Sequence, residues 1–143
     1  MVQLKDVLIF AGISQIILVA GSLAVPFLLN WKQELSKVAV LIRQMFWVYS
    51  GYIMITNLSF GVLSVLWPEA LLEGSVLSRA VTFFIAIYWG ARVAIQFIYF
   101  DRNSVPQGWV YFWGEWILVI LFVLFTIIYS YAFYFNMNYI NLR

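Results

Sequence analysis

The sequence predicts an all-α integral membrane protein, with four transmembrane helices in an up-down-up-down antiparallel bundle. Of its 143 residues 65% are hydrophobic and only 10% charged, whereas a soluble domain covers its surface with about a quarter charged residues. The apolar residues fall into four runs, each as long as the roughly 20 residues needed to cross the hydrocarbon core of a bilayer. The breaks between the runs are short and polar, which forces consecutive helices to run antiparallel. Together the runs make a single domain over residues 1–143.

The first helix is expected at about residues 7–29, with Ser14 and Gln15 as its strongly polar interruptions. Signal-peptide cores are shorter, about 7–15 residues, and Lys5 is the lone base ahead of this run, so it reads as a retained helix. Residues 30–37, with Lys32, Glu34 and Lys37, form the first connection. The second helix covers about 38–67 and stops at Pro68, which has no N–H to give to a helix. Residues 69–78 follow, carrying Glu69 and Glu73, with room for a short interfacial helix that ends at Gly74. The third helix spans about 79–100. The charged turn 101–108 contains Pro106 and Gly108 and leads into the fourth helix, about 109–135, ahead of an Asn-rich tail.

The distribution of Lys and Arg sets the expected orientation. Lys32, Lys37, Arg43 and Arg102 share one side; Lys5, Arg79 and Arg143 share the other. Loops one and three are therefore expected in the cytoplasm and both termini outside. Trp31, Trp47, Trp67, Trp109 and Trp113 lie near helix ends, the headgroup level that amphipathic rings favour.

What is missing narrows the chemistry. Without Cys the chain forms no disulfide, thiolate, Fe–S or cysteine-zinc site, and without His it lacks the usual haem and copper ligand and the commonest general base. No cofactor is expected. A net charge of +2 spread along the chain is no footprint for nucleic acid.

Three sets of residues stand out. Ala86, Gly90 and Ala94 recur every fourth residue on the third helix, a smooth stripe of the kind that lets helices approach in lipid. On the second helix Arg43, Ser50, Asn57 and Ser64 are seven apart, with Gly61 beside them; such residues share a face to within about 20°. That line reads as interhelical hydrogen bonding or as a hydrophilic path. The third set is Arg92 and Gln96 on the third helix with Glu115 on the fourth. Folding the hairpin about Ser104 and Val105 places Arg92 and Glu115 at similar depth, roughly 10 Å in from the helix ends at 1.5 Å per residue. An Arg at mid-bilayer costs ~2.5–3.5 kcal/mol, and Glu115 is the partner expected to offset it. With Arg43 entering from the same side, the four form a cluster of net charge +1. It reads as a salt bridge holding two helices in register, an anionic-lipid or anion site, or a substrate or proton path. Asp101 and Arg102 read as a solvated boundary.

The segments RQMFWVYSGY (43–52) and FIAIYWGARVAIQFIYFDR (84–102) resemble small bacterial membrane proteins, which implies the bacterial inner membrane. Small multidrug exporters carry an acid in the first helix, claudin-like proteins a cysteine pair, and haem-anchor subunits His. This chain has none of the three. The leading functional expectation is a non-catalytic membrane subunit or scaffold, packing against other membrane proteins or its own copies and against the lipid bilayer. The alternative is a small lipid or anion carrier working through the Arg/Glu cluster. A membrane enzyme acting on a lipid or quinone comes last.

Overall fold

The computed structural model describes residues 3–139. Arg143, counted in the charge balance above, lies outside them. All regular structure among the described residues is helical: α1 (Leu4–Ser22), α2 (Val25–Leu28), α3 (Trp31–Leu35), α4 (Val40–Leu66), α5 (Val76–Ile98) and α6 (Trp109–Asn138), with 3-10 turns at Ala70–Leu72 and Arg102–Ser104. Four helical stretches are long and apolar enough to cross a membrane: Leu4–Leu28, Val40–Leu66, Val76–Ile98 and Trp109–Asn138. The chain divides into two compact units, residues 1–8 with 68–143, and residues 9–67.

In the unit of residues 9–67, α1 ends at Ser22, close before Pro26. The Pro26 nitrogen has no hydrogen to continue the ladder, and its ring crowds the preceding turn, so the apolar run goes on as the separate turn α2. Asn30 then adopts the left-handed conformation (φ 50°, ψ 45°) that starts α3, one that Asn tolerates better than most residues. The segment expected as a plain connection therefore holds a helical turn. Trp31 there makes edge contacts with Phe46 and Trp47 of α4, at centroid distances of 4.8 and 5.8 Å, which ties α3 to the start of α4. The two long helices of this unit meet at glycines. A Cβ on Gly12 would lie 2.7 Å from the Gly61 carbonyl oxygen, and one on Gly61 would lie 3.0 Å from that of Gly12. Gly61 and Ser64 are buried, while Ser50 and Asn57 of the same line are half-buried.

The other unit is built on α5 and α6. Trp89 is fully buried between Phe122 and Phe125 (centroids 5.4 and 4.8 Å), and Phe83 meets Phe133 at 5.2 Å. Lower numbers on α5 thus meet higher numbers on α6, so the two helices are antiparallel. α5 begins three residues earlier than the expected 79 because the Ser75 hydroxyl accepts from the Ser78 N–H, closing an N-cap. α6 runs to Asn138, beyond the expected 135. Its buried residues Phe125, Tyr129, Ala132 and Asn136 continue one helical stripe, so residues expected in a tail belong to the core face.

Candidate functional site

Two polar nodes sit at the two ends of the α5–α6 hairpin. The first lies beside the charged turn. Asp101 caps that turn: its carboxylate accepts from the Asn103 N–H and the Ser104 hydroxyl, both at 2.9 Å. Those bonds, the backbone one foremost, hold the Asp101 carboxyl below its ordinary pKa. From the same turn Arg102 folds back, its guanidinium carbon 5.2 Å from the centre of the Phe97 ring and 5.8 Å from that of Trp116. The two faces attract the cation and lead its Nε to 3.6 Å from Glu115 Oε1. Gln96 Nε2 donates to the same oxygen at 3.3 Å. Glu115 is largely shielded, at 21% side-chain exposure against 49% for Arg102.

The expected pairing of Glu115 with Arg92 is therefore replaced by one with Arg102. The hairpin places Gln96 level with Glu115, and Arg92 lies one helical turn deeper. There it meets a ring, its guanidinium carbon 5.6 Å from the centre of Phe122, and it forms no ion pair with a described residue. Arg102, expected as a solvated marker, is the cation that counters Glu115. Its signal in the sequence was its reach: an Arg just past a helix end can lay its long stem back along aromatic neighbours. Arg43 stands half-buried in the first turn of α4 and belongs to the other unit. The residues brought together in one unit are thus Arg92, Gln96, Arg102 and Glu115, and with Asp101 of the adjoining turn two cations stand against two carboxylates.

Replacing Glu115 by Gln removes the charge pair and leaves the side chain its shape. The pair is long and partly exposed, so the expected loss of thermal stability is small, about 1 kcal/mol or less. A thermal melt in detergent checks it. A loss of several kcal/mol would mark Glu115 as a structural keystone of the hairpin.

The second node lies at the opposite end of the hairpin and was not anticipated. Asn136 is fully buried. Its Oδ1 accepts from the Gly74 N–H at 3.0 Å, and its Nδ2 donates to the Leu71 carbonyl at 2.7 Å and to Thr82 Oγ1 at 3.4 Å. Thr82 in turn donates to the Ser78 carbonyl at 2.7 Å. Gly74 has φ 73°, a left-handed conformation that suits Gly, and a Cβ there would fall 2.5 Å from the Tyr139 ring. Arg79 donates through Nε (3.2 Å) and Nη2 (2.8 Å) to the Gly74 carbonyl. Nearby Lys5 and Glu69 form an ion pair, which holds the Glu69 carboxyl below its ordinary pKa.

Between the nodes, one flank of the hairpin carries an open groove of about 500 Å³. Ala86, Gly90 and Ala94, the stripe expected to pack helices, line it together with Phe83, Ser130 and Phe133.

Chemically, the first node is balanced in charge, and Arg92, one turn deeper against Phe122, is its cation without a carboxylate among the described residues. The second node satisfies its own polar groups and reads as structure. Among the described residues there is no group of three or more His, Cys, Asp or Glu that could hold a metal ion. No family model matches the chain, and no curated protein or solved structure shows significant similarity to it.

Proposed function

We propose that this chain is a non-catalytic, four-span integral membrane subunit whose helix α4 packs against a partner membrane protein. The observation that carries this reading is on α4 itself. Only 11% of its most apolar stretch is buried, the least of the four spans. Yet along the same helix Arg43 and Ser50 are only half-buried, although Gly61 and Ser64 further along that line are covered where α4 meets Gly12. The cover that α1 gives this line at Gly61 and Ser64 is thus incomplete towards its Arg43 end, and in membranes part-exposed polar side chains bond across helix interfaces. Lipid explains the apolar exposure of α4, and α1 explains the buried end of the line; neither explains the half-covered Arg43 and Ser50. The aromatic groups at the ends of the spans support insertion: Trp109, Phe112, Trp113 and Trp116 touch in series and stay exposed, as an interfacial belt does.

The absence of Cys makes single-cysteine chemistry clean. Cysteines placed singly at Ser50 and at the neighbouring positions of α4 should crosslink to a second polypeptide in the native membrane, strongest on the Arg43–Ser50–Asn57 face. Even crosslinking around the helix, or none at any position, contradicts the reading. The same approach tests the insertion. With the spans crossing alternately in a bacterial inner membrane, Ser36→Cys and Ser104→Cys react only after a membrane-impermeant thiol reagent is admitted to the cytoplasm. Ser75→Cys reacts from outside in intact cells. Labelling of all three from one side rules out the alternating topology.

A second reading, an anion or lipid carrier, is favoured by Arg92, which lies within a span and has no carboxylate pair among the described residues. It requires Glu115→Gln or Arg92→Gln to abolish transport in a protein that still inserts and folds.

A further inference from the structure

We infer that the groove on the α5–α6 flank holds one acyl chain of a phospholipid, and that Arg79 binds the phosphate of that lipid. The inference rests on the proposed membrane insertion. The floor of the groove is Ala86, Gly90 and Ala94, and the paired rings of Phe83 and Phe133 bank one end. From Phe83 to Ala94 it runs about 16 Å at 1.5 Å per residue, the depth of one leaflet, since the whole hydrocarbon core is about 30 Å thick. An acyl chain lies along such a trough; a globular ligand would leave most of it empty.

What distinguishes a phospholipid from a partner helix is the charge at the mouth. Arg79 precedes Phe83 by four residues and Ala86 by seven, so it shares their face, one turn nearer the start of α5. Its guanidinium is held there by the two bonds to the Gly74 carbonyl. A guanidinium has five N–H donors, so donors remain, and Arg79 has no carboxylate partner among the described residues. An apolar trough with a half-satisfied cation one helical turn beyond its Phe83 end matches the two parts of a phospholipid. A partner helix would have to bring its own carboxylate to the guanidinium, whereas a phospholipid carries the anion on the same molecule. Arg suits phosphate because its fork presents parallel donors.

The test reconstitutes the full-length protein in vesicles of phosphatidylglycerol bearing a diazirine in one acyl chain, then locates photo-labelled residues by mass spectrometry. The expected result is labelling concentrated on residues 86–94 of α5 and around Ser130. It should fall several-fold in Ala94→Leu and in Arg79→Gln, and Arg79→Lys should retain part of it. Ala94 is exposed, so Leu fills the groove without disturbing the core. This variant keeps the test valid if loss of the Arg79–Gly74 bonds unfolds the loop. Even labelling of all exposed faces, unchanged by either substitution, overturns the proposal in favour of ordinary annular lipid. A groove left unlabelled while other faces react overturns it in favour of a protein occupant. Labelling on no helix at all would instead refute membrane insertion, the reading beneath it.

Discussion

Replacing Asn136 by Leu is expected to cost about 3 kcal/mol or more in stability, the largest effect of any single polar substitution in the hairpin. Leu repeats the branched shape of Asn but is bulkier, so no cavity is left and the loss combines missing hydrogen bonds with some overpacking. The Leu71 carbonyl and the Gly74 N–H both bond to the Asn136 amide in a buried setting. Each buried group left without a partner costs about 1–3 kcal/mol. The amide orientation follows from the neighbours, since the N–H of Gly74 requires an oxygen and the carbonyl of Leu71 a donor. Thr82→Val is the matched comparison. Thr82 meets Asn136 at 3.4 Å and otherwise donates to the carbonyl of its own helix, so about 1 kcal/mol or less is expected. Thermal melts of both variants in the same detergent, with proteolysis of the 69–75 loop as a second readout, check the contrast. Equal effects would show that the node holds the loop by packing alone.

The second large effect belongs to Gly12. Adding one carbon there places it 2.7 Å from the Gly61 carbonyl oxygen, 2.8 Å from Val65 Cγ2 and 3.0 Å from Ser64 Cβ. The first of these atoms is backbone and has no rotamer through which to retreat. Even Gly12→Ala therefore forces α1 and α4 apart, and Gly12→Leu more so. Overpacking of this kind costs about 1–3 kcal/mol and more where the backbone has to move. Gly21 meets nothing within 4 Å, so Gly21→Ala in the same helix should be nearly silent or slightly stabilising through helix propensity. The melting temperatures of the pair give the answer. A silent Gly12→Ala would mean that α1 and α4 do not rely on this close approach.

These two residues also mark where the sequence was legible and where it was not. The four long helices were readable because apolar length and breaks such as Pro68 are local properties. Helix ends were less so: α5 starts on a serine cap, and α6 runs past an apparent polar tail. Asn136 was hidden because a polar residue beyond the last apolar run reads as solvated, although its spacing from Phe125, Tyr129 and Ala132 continues the buried stripe. Gly12 was hidden because a lone glycine reveals nothing of the glycine opposite, 49 residues further along the chain. The polar cluster was half legible. Gln96 and Glu115 meet, but a displacement of one helical turn gives Arg92 an aromatic ring and leaves Glu115 to Arg102. Counting residues fixes depth only to within about one helical turn, because it depends on where the connecting turn folds.

Subunit or solitary carrier is the decision on which the functional account turns, and native mass spectrometry of the untagged protein, gently extracted from its own membrane, tests it most directly. The expected result is a defined assembly containing this chain and at least one other polypeptide in fixed stoichiometry, with the partner lost when Arg43 and Ser50 of α4 are replaced by Leu. A bare monomer or a homo-oligomer as the sole species, unchanged by that replacement, would contradict it and turn attention to Arg92 and Glu115 as parts of a carrier.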